Sequence, residues 1–434
     1  MEKLFQTPRG TRDILPDDQI YWQFVKGAFQ KKCETFGCGR IDTPIFEYAD
    51  VFTKGLGESS DIVTKEMFEV RRVQNVETKL EEEEKRLLIM RPEITASIMR
   101  AYVQHGMKIW PQPVKLYYEG PCFRYERPQA GRFRQFNQFG VEIIGDASPL
   151  MDASLIYLAW QIMEKIGMGD SITIDINSVG CPVCRPKIRK KLVEYFEKFL
   201  PDLCADCNRR YTENPLRILD CKNESCQKIV ANAPQIIESI CPECKAHFKE
   251  VLETLDSLQI SYNLNSRLVR GLDYYTKTVF EIYETSDERR QATLLGGGRY
   301  DGLLKLFGEE QTPAVGFSAG LERLIEKVKE KNIEIPIPKM ADVCIAQIGD
   351  KAQKKCLELV GELEKEGIEA ACILGKESLK SQLRTASRMG VKYCLIIGQK
   401  EVLDKSLILR NMDDSSQETI KMTRLLEVLK QKLN

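Results

Sequence analysis

Residues 123–145, FRYERPQAGRFRQFNQFGVEIIG, constrain this chain more than any other segment. Arg124, Arg127, Arg132 and Arg134 crowd one end, and the other runs into an apolar stretch interrupted by Gln138 and Glu142. Two pieces rich in Phe, Val and Ile, joined through Pro, Gln, Ala and Gly, predict a β-hairpin. Such a hairpin holds arginine forks above a sheet floor, and the planar, permanently charged fork matches phosphate oxygens two at a time. A solvated basic hairpin is the competing reading.

The rest of the chain has the make-up of an ordinary globular protein: 434 residues, 43% hydrophobic, room for two or three cores. Lys+Arg and Asp+Glu both number 64, so no overall basic field draws nucleic acid, and any RNA contact must come from local patches. The N-terminal segment MEKLFQTPRGTRDILPDD lacks the apolar core of a signal peptide, and no apolar run reaches the ~18 residues of a membrane span. A soluble cytoplasmic protein is expected. In such a protein, fifteen cysteines favour reduced thiols, with room for a metal site, over a disulfide framework.

Along the chain, Ile20, Phe24, Val25, Ala28, Phe29 and Cys33 recur at helical spacing, and the helix they predict over 17–36 stops at Gly37. Strand-like residues 40–46, broken by Pro44, precede a Gly-rich acidic segment at 55–61 and a strand at 67–70; the charged run 81–86 reads as a solvated turn. A strand at 87–90 leads into Arg91-Pro92-Glu93-Ile94-Thr95 and a helix at 96–102, which Glu93 or Thr95 is suited to cap.

Residues 181–244 hold eight of the cysteines, as Cys181/Cys184, Cys204/Cys207, Cys221/Cys226 and Cys241/Cys244. Close pairs of this kind suit tetrahedral zinc, which takes two thiolates from one short turn and two from a distant one. Buried thiols in a helical segment are the alternative. Helices are expected at 186–199, rich in Lys and Arg, and at 236–258.

Three further motifs follow. RGLDYY, Arg270 to Tyr275, precedes a strand at 278–283, and LGGGRYDGL at 295–303 offers three glycines that permit close backbone approach to a ligand. AVGFSAGLERLI at 314–325 reads as strand, turn and helix, with Arg323 about one turn in. Pro336 and Pro338 mark a linker at 332–339. Beyond it, strands at 343–346, 368–373, 393–397 and 407–409 alternate with helices at 352–366 and 378–389 and a last helix, which predicts a small α/β domain. His105 and His247, the two histidines of the chain, fall in no motif and read as surface or packing residues.

The FRYERP and GRFRQF segments with Gln138 and Glu142, the RGLDYY segment, the glycine run and the final Arg323 motif together resemble class II aminoacyl-tRNA synthetases, in the form of the bacterial-type histidyl-tRNA synthetases. That resemblance implies an α+β catalytic core built on an antiparallel sheet with flanking helices over 1–330, carrying a helical insertion at about 180–258. A linker at 331–340 and a C-terminal α/β anticodon-binding domain at 341–434 would follow. It implies ATP with Mg2+, L-histidine and tRNA(His) as substrates, and a homodimer whose interface includes Thr43-Pro44. Arg124 and Arg270 would act on the α-phosphate from opposite sides, and Arg323 on the γ-phosphate. Glu93, Thr95 and Gln138 would receive the α-amino group; Glu142 and Tyr275 would hold the imidazole nitrogens, with Tyr274 lining the pocket. Gln129 would meet the acceptor end of tRNA. The family has Gly where this chain has Ile94 and usually His where it has Asn137, to which no role is given.

A second reading keeps the resemblance without the chemistry: a regulatory subunit of ATP phosphoribosyltransferase that binds histidine and makes no adenylate. Such relatives lose the ATP-binding arginines and the C-terminal domain, which this chain retains. A pure RNA-binding module is the third, and the neutral charge balance leaves it unsupported.

Overall fold

The hairpin forms as a pair of ten-residue strands, Val114–Phe123 and Gln135–Ile144, in antiparallel register from Val114 opposite Ile144 to Phe123 opposite Gln135. Period-two alternation then sorts its second strand. Gln138 and Glu142 share one face, and Phe139, Val141 and Ile143 take the other, where the ring of Phe139 meets Phe29 of helix Pro16–Thr35 at 4.2 Å. The computed structural model describes residues 5–57, 60, 62–71, 86–126, 131–287, 293–336, 340–375 and 378–433.

Around this hairpin an eight-stranded sheet runs in the order Gly39–Arg40, Val114–Phe123, Gln135–Ile144, Ala314–Gly320, Leu295–Arg299, Thr276–Glu284, Ile172–Ser178, Asn263–Leu264. All internal pairings are antiparallel, and only the two-residue strands at the edges pair parallel to their neighbours. Helix Pro149–Lys165 packs against Pro16–Thr35 and Pro242–Ser257, and Leu321–Glu330 also packs on Pro16–Thr35. The glycine run is not a loop. It is the central strand Leu295–Arg299, with neighbours on both sides. The expected strand at 40–46 is instead split, because Pro44 cannot donate to a ladder. Its second half, Phe46–Tyr48, joins Leu88–Met90 and Phe68–Val70 in a separate three-stranded sheet. The Arg91 guanidinium fastens the Thr43-Pro44 corner, donating to the carbonyls of Thr43 (2.7 Å), Pro44 (3.4 Å) and Pro121 (2.8 Å). Ile94, 1% exposed, opens helix Thr95–Gln104 and packs into the core there.

Between Ile172–Ser178 and Asn263–Leu264 the chain makes the helices Arg185–Phe196, Ala205–Glu213, Glu224–Val230 and Pro242–Ser257. The helix expected over 236–258 is broken: Ile236–Ser239 is a separate 3-10 turn, and Pro242, which has no N–H to give, starts the helix afresh after Cys241.

Residues 334–434 form a second compact unit. Its five-stranded sheet runs Ala370–Cys372, Val343–Gln347, Tyr393–Ile397, Ser406–Asn411, Gln417–Lys421, parallel among the first three strands and antiparallel thereafter. The last strand, QETIK, is mostly exposed and has no apolar alternation to announce it. Cys356 and Cys372 form a disulfide, in a chain expected to favour reduced thiols over a disulfide framework. Helix Asp350–Lys365 lies on the strand that follows it, bringing the two Cα atoms to 6.5 Å, within reach of the bond. The other thirteen cysteines are free.

Candidate active site

A cavity of about 410 Å3 opens on the face of the large sheet that carries Gln138 and Glu142. Glu93, Thr95, Arg124, Gln138, Glu142, Arg270, Tyr274, Tyr275 and Arg323 all line it, although they come from four stretches of the chain. Gln129 lies outside the described residues.

One end is acidic and aromatic. Glu93 caps helix Thr95–Gln104: Oε2 accepts the Thr95 N–H at 2.7 Å and Oε1 the Ala96 N–H at 2.8 Å. The Thr95 hydroxyl donates to Glu142 Oε1 at 2.8 Å. Glu142 is 1% exposed, and its other oxygen, Oε2, has no hydrogen-bond partner among the described residues. Burial pushes its pKa well above the carboxylate range; interactions with the Thr95 and Tyr118 hydroxyls oppose the rise and the neighbouring Glu93 charge adds to it. Burial also raises Glu93, against the two backbone N–H bonds that favour its charged form. Gly316 stands opposite Glu142 in the adjoining strand, and a Cβ there would overlap both the Glu142 carboxylate and the Tyr300 hydroxyl. Tyr274, Tyr275 and Tyr300 close this end as an aromatic box, with centroids 4.6, 5.3 and 6.0 Å apart.

The other end is cationic. Arg124 donates to the Pro92 carbonyl at 2.9 Å and lies 5.2 Å from the centroid of Phe136. Arg323, in the first turn of Leu321–Glu330, donates to the Thr293 carbonyl at 2.8 Å and to that of Gly131 at 3.3 Å. Burial first, then the charge of Arg132, lowers the Arg323 pKa. Such mutual repulsion among cations marks a place suited to an anion. Glu126, 3.2 Å from Arg132 and 3.9 Å from Arg124, is a counter-charge between them. Arg270 is paired with Glu281, which outweighs burial and holds the guanidinium charged, while its Nε has no hydrogen-bond partner among the described residues. Glu281 is tied in turn by the hydroxyls of Tyr283 and Thr293. The glycine run makes room for this arrangement, since a Cβ at Gly296 would overlap the Arg270 guanidinium.

Several polar side chains are taken up by the core rather than by the cavity. Arg299 is fully buried away from the cavity lining, bonded to Asp152 (2.7 Å) and to the carbonyls of Asp146 and Ser148. His247 joins the same knot, 3.1 Å from Asp152 Oδ2. Asn137 presents its backbone N–H (2.9 Å) and side-chain amide (3.0 Å) to Glu322, whose pKa burial raises against those bonds. Of the lining residues given no role from the sequence, Arg217 lies in no motif, whereas Arg132 and Tyr300 lie inside the hairpin and glycine-run motifs. Tyr300 follows the glycine strand directly, and strand alternation was the signal available for it.

In the insertion the eight cysteines gather as two separate groups, Cys181/Cys184/Cys241/Cys244 and Cys204/Cys207/Cys221/Cys226. Within each, all four sulfurs lie within 4.8 Å of one another. These donors fit a divalent metal that takes tetrahedral thiolate ligands.

The family model described as histidyl-tRNA synthetase matches residues 10–182 and 208–324, passing over 183–207, and that described as anticodon binding domain matches 342–432. A histidine–tRNA ligase of Acetivibrio thermocellus is 43% identical over 427 residues, 98% of this chain and 100% of that one. One from Desulforamulus reducens is also 43% identical, covering 98% of each. The apo structure of S. aureus histidyl-tRNA synthetase superposes with a TM-score of 0.78 at 33% identity, over 98% of this chain and 100% of that chain.

Proposed function

The chain belongs to the histidyl-tRNA synthetase family, and from that membership we propose that its central cavity joins L-histidine to ATP and passes the histidyl group to the 3′ end of tRNA(His). The observation that carries the reading to this cavity is the buried Glu142 carboxylate, lining one end of a space whose other end is cationic. An imidazole N–H suits the first end, and a triphosphate suits the second.

In the first half-reaction the histidine carboxylate attacks the α-phosphorus of ATP, which enters as its Mg2+ complex, and pyrophosphate leaves. Two anions meet while charge accumulates on phosphorus, so the residues that matter are cations fixed in advance. Arg124 takes the α-phosphate from the hairpin side and Arg270 from the opposite side, and Arg323 takes the γ-phosphate. No side-chain base is required, because the attacking carboxylate is already ionised. Glu93, Thr95 and Gln138 receive the α-amino group. Glu142 and Tyr275 hold the two imidazole nitrogens, and Tyr274 lines the pocket; a site built around paired polar groups rejects analogues that leave them unpaired. Gln129 meets the tRNA acceptor end, residues 341–434 read the anticodon, and residues 1–330 are the catalytic domain.

The insertion cysteines hold structural zinc. A homodimer in the cytoplasm completes the reading; exposed Ile45, Phe46 and Leu87 near the Thr43-Pro44 corner support the dimer, and no described helix is long and apolar enough to cross a membrane. The regulatory-subunit alternative has no use for three arginines on a triphosphate site, and the relatives that match almost end to end carry the ligase name.

Histidine-dependent exchange of pyrophosphate into ATP tests the proposal. The wild-type protein should catalyse it, and Arg124→Ala or Arg270→Ala should slow it by a factor on the order of 100. A wild-type protein that binds histidine without exchange would be the regulatory subunit instead.

A further inference from the structure

The cysteine groups sit at two levels of the insertion. The outer group joins its first residues, Cys181 and Cys184, to Cys241 and Cys244 at the start of helix Pro242–Ser257; the inner group lies wholly within it. Zinc–sulfur bonds of about 2.3 Å at tetrahedral angles separate the sulfurs by about 3.8 Å. The observed separations are 3.6 Å for Cys181–Cys184, 3.9 Å for Cys181–Cys241, 3.8 Å for Cys184–Cys244 and 3.8 Å for Cys204–Cys221. A disulfide needs about 2.05 Å. Backbone N–H groups already point at the sulfurs, from Cys241 to Cys184 Sγ at 3.0 Å and from Cys204 to Cys226 Sγ at 3.2 Å.

Each group also reaches the substrate loop. Arg185, the residue after Cys184, donates to the Tyr275 carbonyl. The segment between Cys207 and Cys221 carries Asn214, whose amide donates to Asp273 Oδ1 at 2.6 Å, and Arg217, which lines the main cavity. Resting on the reading that these cysteines hold structural zinc, we propose that the insertion binds two zinc ions, one per tetrathiolate group. Together they pin its two halves onto the 270–275 loop that lines the amino-acid pocket.

Metal analysis of the full chain, purified under reducing conditions, loaded with a small excess of zinc and desalted, should give two ions per chain. Cobalt in place of zinc should show the intense visible absorption of tetrahedral thiolate coordination, growing until two equivalents are bound. One ion per chain would overturn the two-site proposal and leave the zinc reading standing; less than half an ion would overturn both. The Cys204→Ser/Cys221→Ser variant should keep one ion and raise the KM for histidine in pyrophosphate exchange several-fold, with the KM for ATP unchanged. A count of one with an unchanged histidine KM would refute the pinning. Should that variant not fold, Asn214→Ala keeps every thiol and should raise the same KM with two ions retained; no rise would refute the inner anchor. Absence of exchange in the wild type would count against the ligase reading and leave the metal count untouched.

Discussion

Replacing Glu142 by Gln separates what the buried carboxylate does for histidine from what it costs the fold. Its Oε1 is bonded to Thr95 at 2.8 Å, and the Tyr118 hydroxyl also interacts with the carboxylate. Hydrogen bonds to a charged group contribute about 1.5–3 kcal/mol, so losing one to the imidazole should lower kcat/KM for histidine by about 10- to 150-fold. The KM for ATP should stay within about twofold, because uniform binding at the far end is untouched. The same change should stabilise the unliganded protein. Glu142 has a folded-state pKa raised by burial, so its contribution is fully present below the ordinary carboxylate pKa and is lost as pH rises through the raised value. At neutral pH the wild-type protein therefore bears a penalty that Gln does not. Thermal unfolding without ligand, followed from pH 5 to 8, should show the Gln variant gaining on wild type as pH rises. Pyrophosphate exchange at varied histidine supplies the kinetic half. Histidine kcat/KM within twofold of wild type, or a stability difference that does not change with pH, would refute the reasoning.

Gly296→Ala puts a methyl group where the Arg270 guanidinium lies, and misplacing that cation should cost about 100-fold in exchange with little change in histidine affinity; an unaffected rate would mean that Arg270 does not act from this position. Arg299→Ala strips the buried Asp152 of its principal partner and should lower the stability of the large unit by about 3–5 kcal/mol in urea titration, with a loss under 1 kcal/mol counting against the buried pair.

Local pattern carried the sequence reading a long way. Gln138 and Glu142 are four residues apart on a strand, so they share a face in any hairpin that pairs at all, and the structure puts both on the cavity. Helix Pro16–Thr35 and strand Tyr393–Ile397 likewise follow from spacing. What escaped is what depends on distant partners. The Arg299–Asp152 pair spans 147 positions, so nothing local to the glycine run marks Arg299 as a core cation. Three glycines lack β propensity, yet they form a central strand where neighbouring atoms leave no space for a Cβ. Asn137 had no legible role, since Glu322 lies 185 positions away. Four close cysteine pairs signalled a metal site, but which pairs meet is decided by how the helices fold back.

The two-faced strand Gln135–Ile144 also governs which hereditary accidents this protein survives. Substitutions there alter one side chain at a time, and a conservative exchange at Val141 or Ile143 touches only the packing under the helices. An insertion or deletion of a single residue between Gln135 and Gln138 is of another kind, for it turns every later side chain to the opposite face. Glu142 would face the helix layer, and Val141 or Ile143 would stand on the cavity in its place. Lineages carrying this strand should therefore vary in its letters while holding its length constant, with length differences confined to segments outside the ladder.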